Sequence, residues 1–456
     1  STPMHVGSLT LFQESPGVID HERLVKLIRG RIAFVPRYRQ RLREIPGRLA
    51  NPVWVDDDRF DVTYHVRRSA LPAPGSIKQL NELVARIMSR PLDRRRPLWE
   101  VYLVEGVEGR RFALLSKTHQ AMVDGITAVD IGEVILEETP EVQTAPATTW
   151  RPAAPPTTVE LLAGAMADSV AHPRTIVDRV SGGLGTAREA LGHVASAVMD
   201  AVRSPDEMPL IAEVGQQRRF ATLDISLDDL KSVRRARGGT INDVALAIIA
   251  GGLRSWLLAR GESVSGGTVV RTLVPMSVKA EDDRESASLV DAFLVDLPVG
   301  EPDPVIRLQR IVFDTARFGE TGRTVGAKAM VDLVGFAPPT LHTLGARVGA
   351  SLSQRSYSLS VTNVPGPQTA LYAGGARMLA AYPIVPLTER HALSIGLTSY
   401  DGEVFFGLNA DRDAMPDLDV LVQCLRDSLA ELTDSTSPGG GSRLRAVKPV
   451  AGSGAS

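Results

Sequence analysis

The sequence predicts an α/β protein of two domains, each with helices layered on a sheet (an α+β two-layer arrangement). The chain has 456 residues, which is long for a single hydrophobic core. Helical and extended patterns of apolar residues follow one another in a similar order in both halves. A segment with five prolines, residues 139–158, lies between the halves. A segment of this composition typically links two units that each have their own core.

The first predicted domain covers residues 1–138. Its clearest helix has apolar residues at helical spacing from Leu80 to Met88, and its clearest hairpin has a turn that contains Gly106 and Gly109. The predicted strands are residues 53–66, 99–104 and 111–117, and the predicted helices are residues 77–90 and 126–137. Trp99, within an apolar run, is predicted to lie in the core.

Residues 139–220 form the predicted linker, which continues from the proline-rich segment into alanine-rich residues with helical spacing. The apolar positions between residues 159 and 202 fall on one side of each helical pattern, which predicts amphipathic crossover helices. Two interpretations remain open: the apolar faces pack on the domains, or they contact lipid at a membrane surface.

The second predicted domain covers residues 221–434. Thr240 is a good N-cap for a strong helical pattern that Gly261 would end, and Asp401-Gly402 is a typical two-residue hairpin turn. The predicted strands are residues 223–227, 269–274, 292–297, 359–364, 392–400 and 403–409, and the predicted helices are residues 230–237, 240–260, 305–318, 324–336 and 418–432. Residues 435–456 are rich in glycine and serine, which predicts a disordered tail.

The composition excludes several classes of function. A net charge of −2 does not favour nucleic acid as a partner, and the single cysteine, Cys424, excludes a disulfide framework. The eight histidines form no closely spaced ligand pair, so we expect no metal. No apolar run reaches the roughly 18–20 residues of a membrane-spanning helix. We therefore expect a cytoplasmic protein, with peripheral contact at the inner membrane face or on lipid droplets left open.

The segment that most suggests chemistry is His119-Gln120-Ala121-Met122-Val123-Asp124-Gly125, between an apolar strand and a helical pattern. A strand-to-helix turn can present a side chain into a cleft, and an imidazole is a natural general base at neutral pH. Asp124 is placed to cap the helix or to hold a cation, and Gly125 gives the turn backbone freedom. The residues alone favour a structural role for His119 and leave the catalytic role open.

This segment resembles the HHxxxDG signature of acyl-CoA-dependent acyltransferases, a superfamily that includes condensation domains. Further segments resemble blocks of the wax ester synthase/diacylglycerol acyltransferase family in the family's order along the chain. These segments are residues 2–7 (TPMHVG), 96–100 (RPLWE), 240–244 (TINDV) and 360–367 (SVTNVPGP). The resemblance spans nearly the whole chain.

The resemblance implies two domains of chloramphenicol-acetyltransferase type that face each other across a tunnel. Acyl-CoA would enter as co-substrate, and its acyl group would pass directly to diacylglycerol or to a long-chain alcohol, without an acyl-enzyme and without a cofactor. The catalytic segment would comprise His119, Gln120, Asp124 and Gly125. The residues implied to line the substrate site are Asn242, Asp243, Thr362, Asn363, Pro365 and Gly366.

Gln120 departs from the signature, which has its basic second histidine at this position. An amide accepts no proton at any useful pH. Four interpretations remain open: Gln120 orients the alcohol by a hydrogen bond, His119 serves as the base, the glutamine is an engineered inactivating change, or the protein binds acyl-CoA or neutral lipid without turnover. Asn242 and Asp243 are also suited to capping the helix that they begin.

Four arginines alternate with other residues between positions 37 and 43. This spacing is typical of a solvated face. The alternative is an electropositive mouth for the phosphates of coenzyme A. The four are Arg37, Arg39, Arg41 and Arg43.

Overall fold

A computed structural model describes the chain over most of its length. The residues described are 3–14, 19–44, 52–123, 131–141, 150–157, 160, 208–277, 290–321 and 357–436. The strands are β1 (His5–Gln13), β2 (Gln40–Arg43), β3 (Val53–Asp56), β4 (Val66–Ala70), β5 (Trp99–Val107), β6 (Arg111–His119), β7 (Leu136–Glu137), β8 (Arg218–Ser226), β9 (Val270–Ser277), β10 (Val290–Leu297), β11 (Leu359–Pro365), β12 (Tyr372–Ala373), β13 (Ala376–Ile384), β14 (Leu393–Tyr400) and β15 (Glu403–Asp411). The helices are α1 (His21–Arg31), α2 (Val62–His65), α3 (Ile77–Ser89), α4 (Gln120–Val123), α5 (Ile131–Val134), α6 (Leu227–Arg237), α7 (Ile241–Ala259), α8 (Pro304–Thr321) and α9 (Leu418–Asp434).

The first sheet has seven strands in the order β4-β5-β6-β1-β13-β12-β7. Its strands are antiparallel except for the parallel pair β4 and β5. Helix α3 begins with a capping box between Ser76 and Gln79, and its apolar side, which includes Leu80, Val84 and Ile87, is buried in the first core. The predicted core position of Trp99 is confirmed, since the ring is fully buried and its Nε1 donates to the Tyr38 carbonyl oxygen at 2.8 Å.

The second sheet has six strands in the order β10-β9-β11-β14-β15-β8. Helix α7 packs in its core, and the predicted cap is confirmed because Thr240 and Asp243 form a capping box. Gly261 follows the helix with φ +79, as a stop residue should. By length and composition α7 could cross a membrane, but 72% of its most apolar window is buried within the protein. Its apolar character is therefore that of a core helix.

Two strands from the second half of the chain complete the first sheet. β13 pairs with β1, and β12 joins β13 to β7. The predicted domain of residues 221–434 therefore does not form one sheet. Strand β13 passes close to the second sheet. Its Pro383 packs against Gly396 on β14 and Gly407 on β15, which are register partners. Beyond β13, the Val385 carbonyl oxygen accepts hydrogen bonds from Ser394 and Asn409, each at 2.8 Å.

Two predicted elements of the first half differ in the structure. Residues 53–66 do not form one extended segment, because Asp61 caps the short helix α2 by accepting from the Thr63 backbone N–H at 2.9 Å. Within the predicted helix 126–137, the described part consists of α5 followed by strand β7. The predicted crossover helices of residues 159–202, the helix 324–336 and the tail beyond residue 436 lie outside the described residues.

The arginines of residues 37–43 mostly contact neighbouring side chains and the linker. Arg39 is buried with its guanidinium 4.6 Å from the Trp150 ring centroid, and Arg37 lies 4.7 Å over Trp54. Arg41 pairs with Asp57, and Arg43 donates to the Pro156 carbonyl oxygen at 2.8 Å. The prediction of a solvated face is therefore wrong for Arg39, whereas Arg37 is exposed and Arg41 and Arg43 are half-buried. Arg39 and Arg43 hold residues 150–157 next to β2 and β3 through these contacts.

His65 makes the first domain sensitive to acid. Its ring stacks on Trp99 at 4.5 Å, its Nδ1 donates to the Trp99 carbonyl oxygen at 2.7 Å, and burial lowers its pKa from 6.5 to about 4. The unfolded chain protonates this residue near pH 6.5, so the stability that neutral His65 contributes is present above that pH. It is lost as the pH falls towards 4.

We expect a His65→Asn variant to lose less stability than the wild type when the pH is lowered from 6.5 to 4. Asparagine keeps a donor for the Trp99 carbonyl but does not titrate. Between pH 6.5 and 4 the free energy of unfolding should fall by about 3 kcal/mol more in the wild type than in the variant. Denaturant titrations at several pH values measure this difference. Parallel stability curves for the two proteins would contradict the assignment.

Candidate active site

The site in the first half forms where β6 ends. His119 is the last residue of β6, its backbone N–H donates to the Leu98 carbonyl oxygen at 2.9 Å, and Gln120 then begins α4. The Gln120 backbone N–H donates to the Met4 carbonyl oxygen at 2.8 Å. The start of the predicted catalytic segment is therefore anchored on both sides, by the residues that lead into β5 and into β1.

A backbone contact fixes the proton of His119. Its Nδ1 lies 3.2 Å from the Ala121 backbone nitrogen, which can only donate. Nδ1 is thus the acceptor, and the neutral ring carries its proton on Nε2. Burial of the half-buried side chain and the nearby positive charge of Arg94 lower the pKa of His119, so the ring is held neutral.

Gln120 has an unused hydrogen-bond acceptor. Its Oε1 is buried and, within the described residues, has no hydrogen-bond partner. A buried polar atom without a partner costs free energy of about 1–3 kcal/mol. Several such atoms occur among the described residues, and Gln120 Oε1 is the one that lies in the predicted catalytic segment. A hydroxyl group of a bound substrate would satisfy this oxygen. Asp124 and Gly125, the other predicted members of the segment, lie outside the described residues.

The structure brings together a second group of predicted residues, on α7 and β11. Asn363 Nδ2 donates to Asn242 Oδ1 at 3.1 Å, which links the start of α7 to the end of β11. Asp243 faces inward: one oxygen accepts from the Thr240 backbone and hydroxyl at 2.8 Å each, and the other accepts from the Thr315 hydroxyl at 2.8 Å. The capping interpretation therefore describes the contacts of Asp243.

The remaining predicted residues lie on β11 and just beyond it. Thr362 is half-buried on β11 and is the register partner of Gly396. Pro365 is exposed, and the Gly366 backbone N–H donates to the Ser399 hydroxyl at 3.3 Å. An added Cβ on Gly366 would lie 2.4 Å from the Ser399 carbonyl oxygen, so only glycine fits this close approach.

A cavity of about 220 Å³ opens beside Asn363 and Pro365. It is smaller than a typical site for a whole ligand of drug size, so it has room for part of a chain. Its lining is largely aliphatic. The lining side chains are those of Leu227, Leu230, Ile241, Ala245, Asn363, Pro365, Leu397, Ser399 and Val404.

The predicted residues thus fall into two groups, and within the described residues no hydrogen bond or ion pair joins them. A further residue, His5, was not predicted as a site residue. It lies opposite His119 in the register of β1 and β6, with the ring centroids 6.3 Å apart. Residues 2–7 (TPMHVG) carry only the family resemblance, and no local pattern shows which strand pairs with β6.

Two family models match most of the chain. Residues 1–245 match the family described as wax ester synthase/diacylglycerol acyltransferase catalytic domain. Residues 289–433 match the WS/DGAT C-terminal domain. The chain belongs to the wax ester synthase/diacylglycerol acyltransferase family. This confirms the resemblance drawn from the sequence segments.

Two curated relatives from Mycobacterium tuberculosis are also similar to this chain over nearly its full length. The probable diacylglycerol O-acyltransferase tgs2 of Mycobacterium tuberculosis is 33% identical over 443 residues, which cover 94% of each chain. The probable diacylglycerol O-acyltransferase tgs1 of the same species is 31% identical, over 94% of this chain and 90% of the relative.

Solved structures confirm the predicted fold class. The wax ester synthase/diacylglycerol acyltransferase of Marinobacter aquaeolei VT8 is 27% identical, covers 95% of both chains and superposes with a TM-score of 0.67. The first condensation domain of the CDA synthetase is 15% identical, covers 96% of this chain and 93% of its own, and has a TM-score of 0.54. That second likeness concerns the two-domain fold alone.

Proposed function

We propose that this protein is an O-acyltransferase that moves a long-chain acyl group from acyl-CoA to the hydroxyl group of diacylglycerol or of a long-chain alcohol. The hydroxyl attacks the thioester directly in a ternary complex, and the products are an ester and free coenzyme A. Acyl-CoA is a co-substrate, and the proposed reaction needs no resident cofactor or metal.

The observation that carries this proposal is the buried Oε1 of Gln120, which has no hydrogen-bond partner within the described residues and lies beside the half-buried His119. The atom is an acceptor that requires a donor, and the hydroxyl of an acyl acceptor is such a donor. Gln120 would orient the alcohol without taking its proton, and positioning of this kind can supply roughly 7–11 kcal/mol of a barrier in favourable cases. Family membership favours turnover over a protein that only binds acyl-CoA or neutral lipid.

The aliphatic cavity beside Asn363 supports a substrate with a long chain. Its volume of about 220 Å³ and its leucine, isoleucine and valine lining suit a methylene segment. Pro365 and the Asn242–Asn363 contact would shape its entrance. The acyl chain and the acceptor are both poorly soluble in water, so we place the protein in the cytoplasm with peripheral contact at a membrane or lipid-droplet surface.

Turnover with two acceptors tests the function. Purified protein is incubated with a radiolabelled long-chain acyl-CoA and either diacylglycerol or a long-chain alcohol, and the labelled ester and free thiol are measured. We expect one thiol per ester, and little thiol without an acceptor. Retained acyl-CoA binding with no ester from either acceptor would overturn the proposal in favour of a binding protein.

A further inference from the structure

His5 and His119 form a pair of imidazoles on one face of the first sheet. They are direct register partners on the antiparallel strands β1 and β6, so their side chains project to the same side. A direct hydrogen bond between two ring nitrogens is about 2.9 Å long. The ring centroids lie 6.3 Å apart, edge to face, which is too far for that bond.

The two rings have opposite proton positions. His5 Nδ1 lies 3.2 Å from the Met88 carbonyl oxygen, which can only accept, so the proton of neutral His5 is on Nδ1. Its Nε2 therefore carries a lone pair. In His119 the Nδ1 accepts from the Ala121 backbone, so Nε2 carries the proton. The distal nitrogen of His5 is thus an acceptor, whereas that of His119 is a donor.

The pair lies where the two halves of the chain meet. Met88 is near the end of α3, and the next residue, Ser89, accepts from the Arg218 backbone N–H on β8 at 3.1 Å. The charged and titratable groups around His5 are Lys117 and His119 on β6 and Arg218 on β8. Burial and then these groups lower the pKa of His5 to about 3, which keeps its lone pair free at every physiological pH.

We propose that His5 is a further catalytic residue of the acyl-transfer site, whose Nε2 accepts the proton of the attacking hydroxyl. The inference rests on the proposed function. In the bound complex the hydroxyl hydrogen is donated to Gln120 Oε1. As the hydroxyl oxygen bonds to the thioester carbonyl carbon, its O–H turns from Gln120 to His5 Nε2 and the proton passes to that nitrogen. The carbon–sulfur bond then breaks, its electron pair leaves with the coenzyme A sulfur, and that thiolate takes the proton back from His5. The products are the ester, coenzyme A thiol and neutral His5.

The alternatives among the described residues of the segment do not fit this task. The Gln120 amide accepts no proton, and the lone pair of His119 is directed to the Ala121 backbone. A weakly basic imidazole suffices because the hydroxyl proton becomes strongly acidic once the new carbon–oxygen bond forms. The cations Lys117 and Arg218 disfavour a lasting imidazolium, which promotes return of the proton to the departing thiolate.

Two substitutions at position 5 separate catalysis from structure. In His5→Asn the side-chain amide can still donate to the Met88 carbonyl but has no distal nitrogen. We expect kcat to fall about 100-fold, at the low end for loss of a general base, with the KM for acyl-CoA and the melting temperature little changed. In His5→Ala we expect a similar fall that added imidazole partly restores.

His65→Asn is the matched control. His65 is also buried and also donates from Nδ1 to a backbone carbonyl, but its ring is stacked on Trp99 and, within the described residues, makes no hydrogen bond with the segment. At pH 7.5 this variant should keep the wild-type kcat. Wild-type kcat in His5→Asn, or His5→Ala without imidazole rescue, would overturn the role of His5 while the proposed function stands. Absence of turnover in the wild type would overturn both.

Discussion

Replacing Gln120 by leucine should lower kcat/KM about 100-fold while the protein stays folded. Leucine is close to glutamine in size and removes the buried Oε1 that has no partner among the described residues. In the bound state the acceptor hydroxyl would then be buried without its hydrogen bond, which costs about 1–3 kcal/mol. A difference of 2.7 kcal/mol is about a 100-fold change in rate. Ester formation at several acceptor concentrations measures it.

Two further variants at this position give the controls. Gln120→His places an imidazole acceptor where the family signature has its basic histidine, and it should match or exceed wild-type turnover. Gln120→Glu keeps two acceptor oxygens and should lie between leucine and the wild type. Unchanged kcat/KM in the leucine variant would show that Gln120 does not contact the acceptor. Melting temperatures of all three variants separate a loss of activity from a loss of folded protein.

Local signals were sufficient for the elements that the chain specifies over a few residues. Thr240 and Gly261 bound α7 as predicted because capping depends on neighbours within one helical turn. The Asp401-Gly402 turn is confirmed, with both residues at positive φ between β14 and β15. The interruption of residues 53–66 by α2 depends on a single cap at Asp61, a signal too short to outweigh the extended pattern.

Strand pairing between distant segments was not predictable in the same way. The residues of β13 lie late in the chain, and nothing local shows that this strand pairs with β1 rather than with β14 or β15. For the same reason the sequence did not predict His5 as a site residue. His5 lies beside His119 only because β1 pairs with β6 in this register. The family resemblance predicted that Asn242 and Asn363 belong to one site. It did not predict the hydrogen bond between them.

A substitution where β13 packs against the second sheet is expected to have the largest effect on the free energy of unfolding. Gly407 and its register partner Gly396 lie side by side on β15 and β14. A Cβ added to Gly407 would lie 2.0 Å from the Pro383 carbonyl oxygen, which belongs to the backbone of β13 and cannot rotate away. The added methyl group therefore has to push two sheets apart, and both sheets are packed in their own cores.

We expect Gly407→Ala to lower the free energy of unfolding by about 3 kcal/mol, the upper part of the usual range for overpacking. Gly396→Ala should cost less, because its nearest neighbour would be a Pro383 side-chain atom at 2.8 Å. Gly266→Ala is the control, since an added Cβ there meets no heavy atom within 4 Å. Denaturant unfolding of the three variants should rank them in this order. If Gly407→Ala proved as stable as Gly266→Ala, β13 would not lie against β14 and β15, and the two halves of the chain would join in another way.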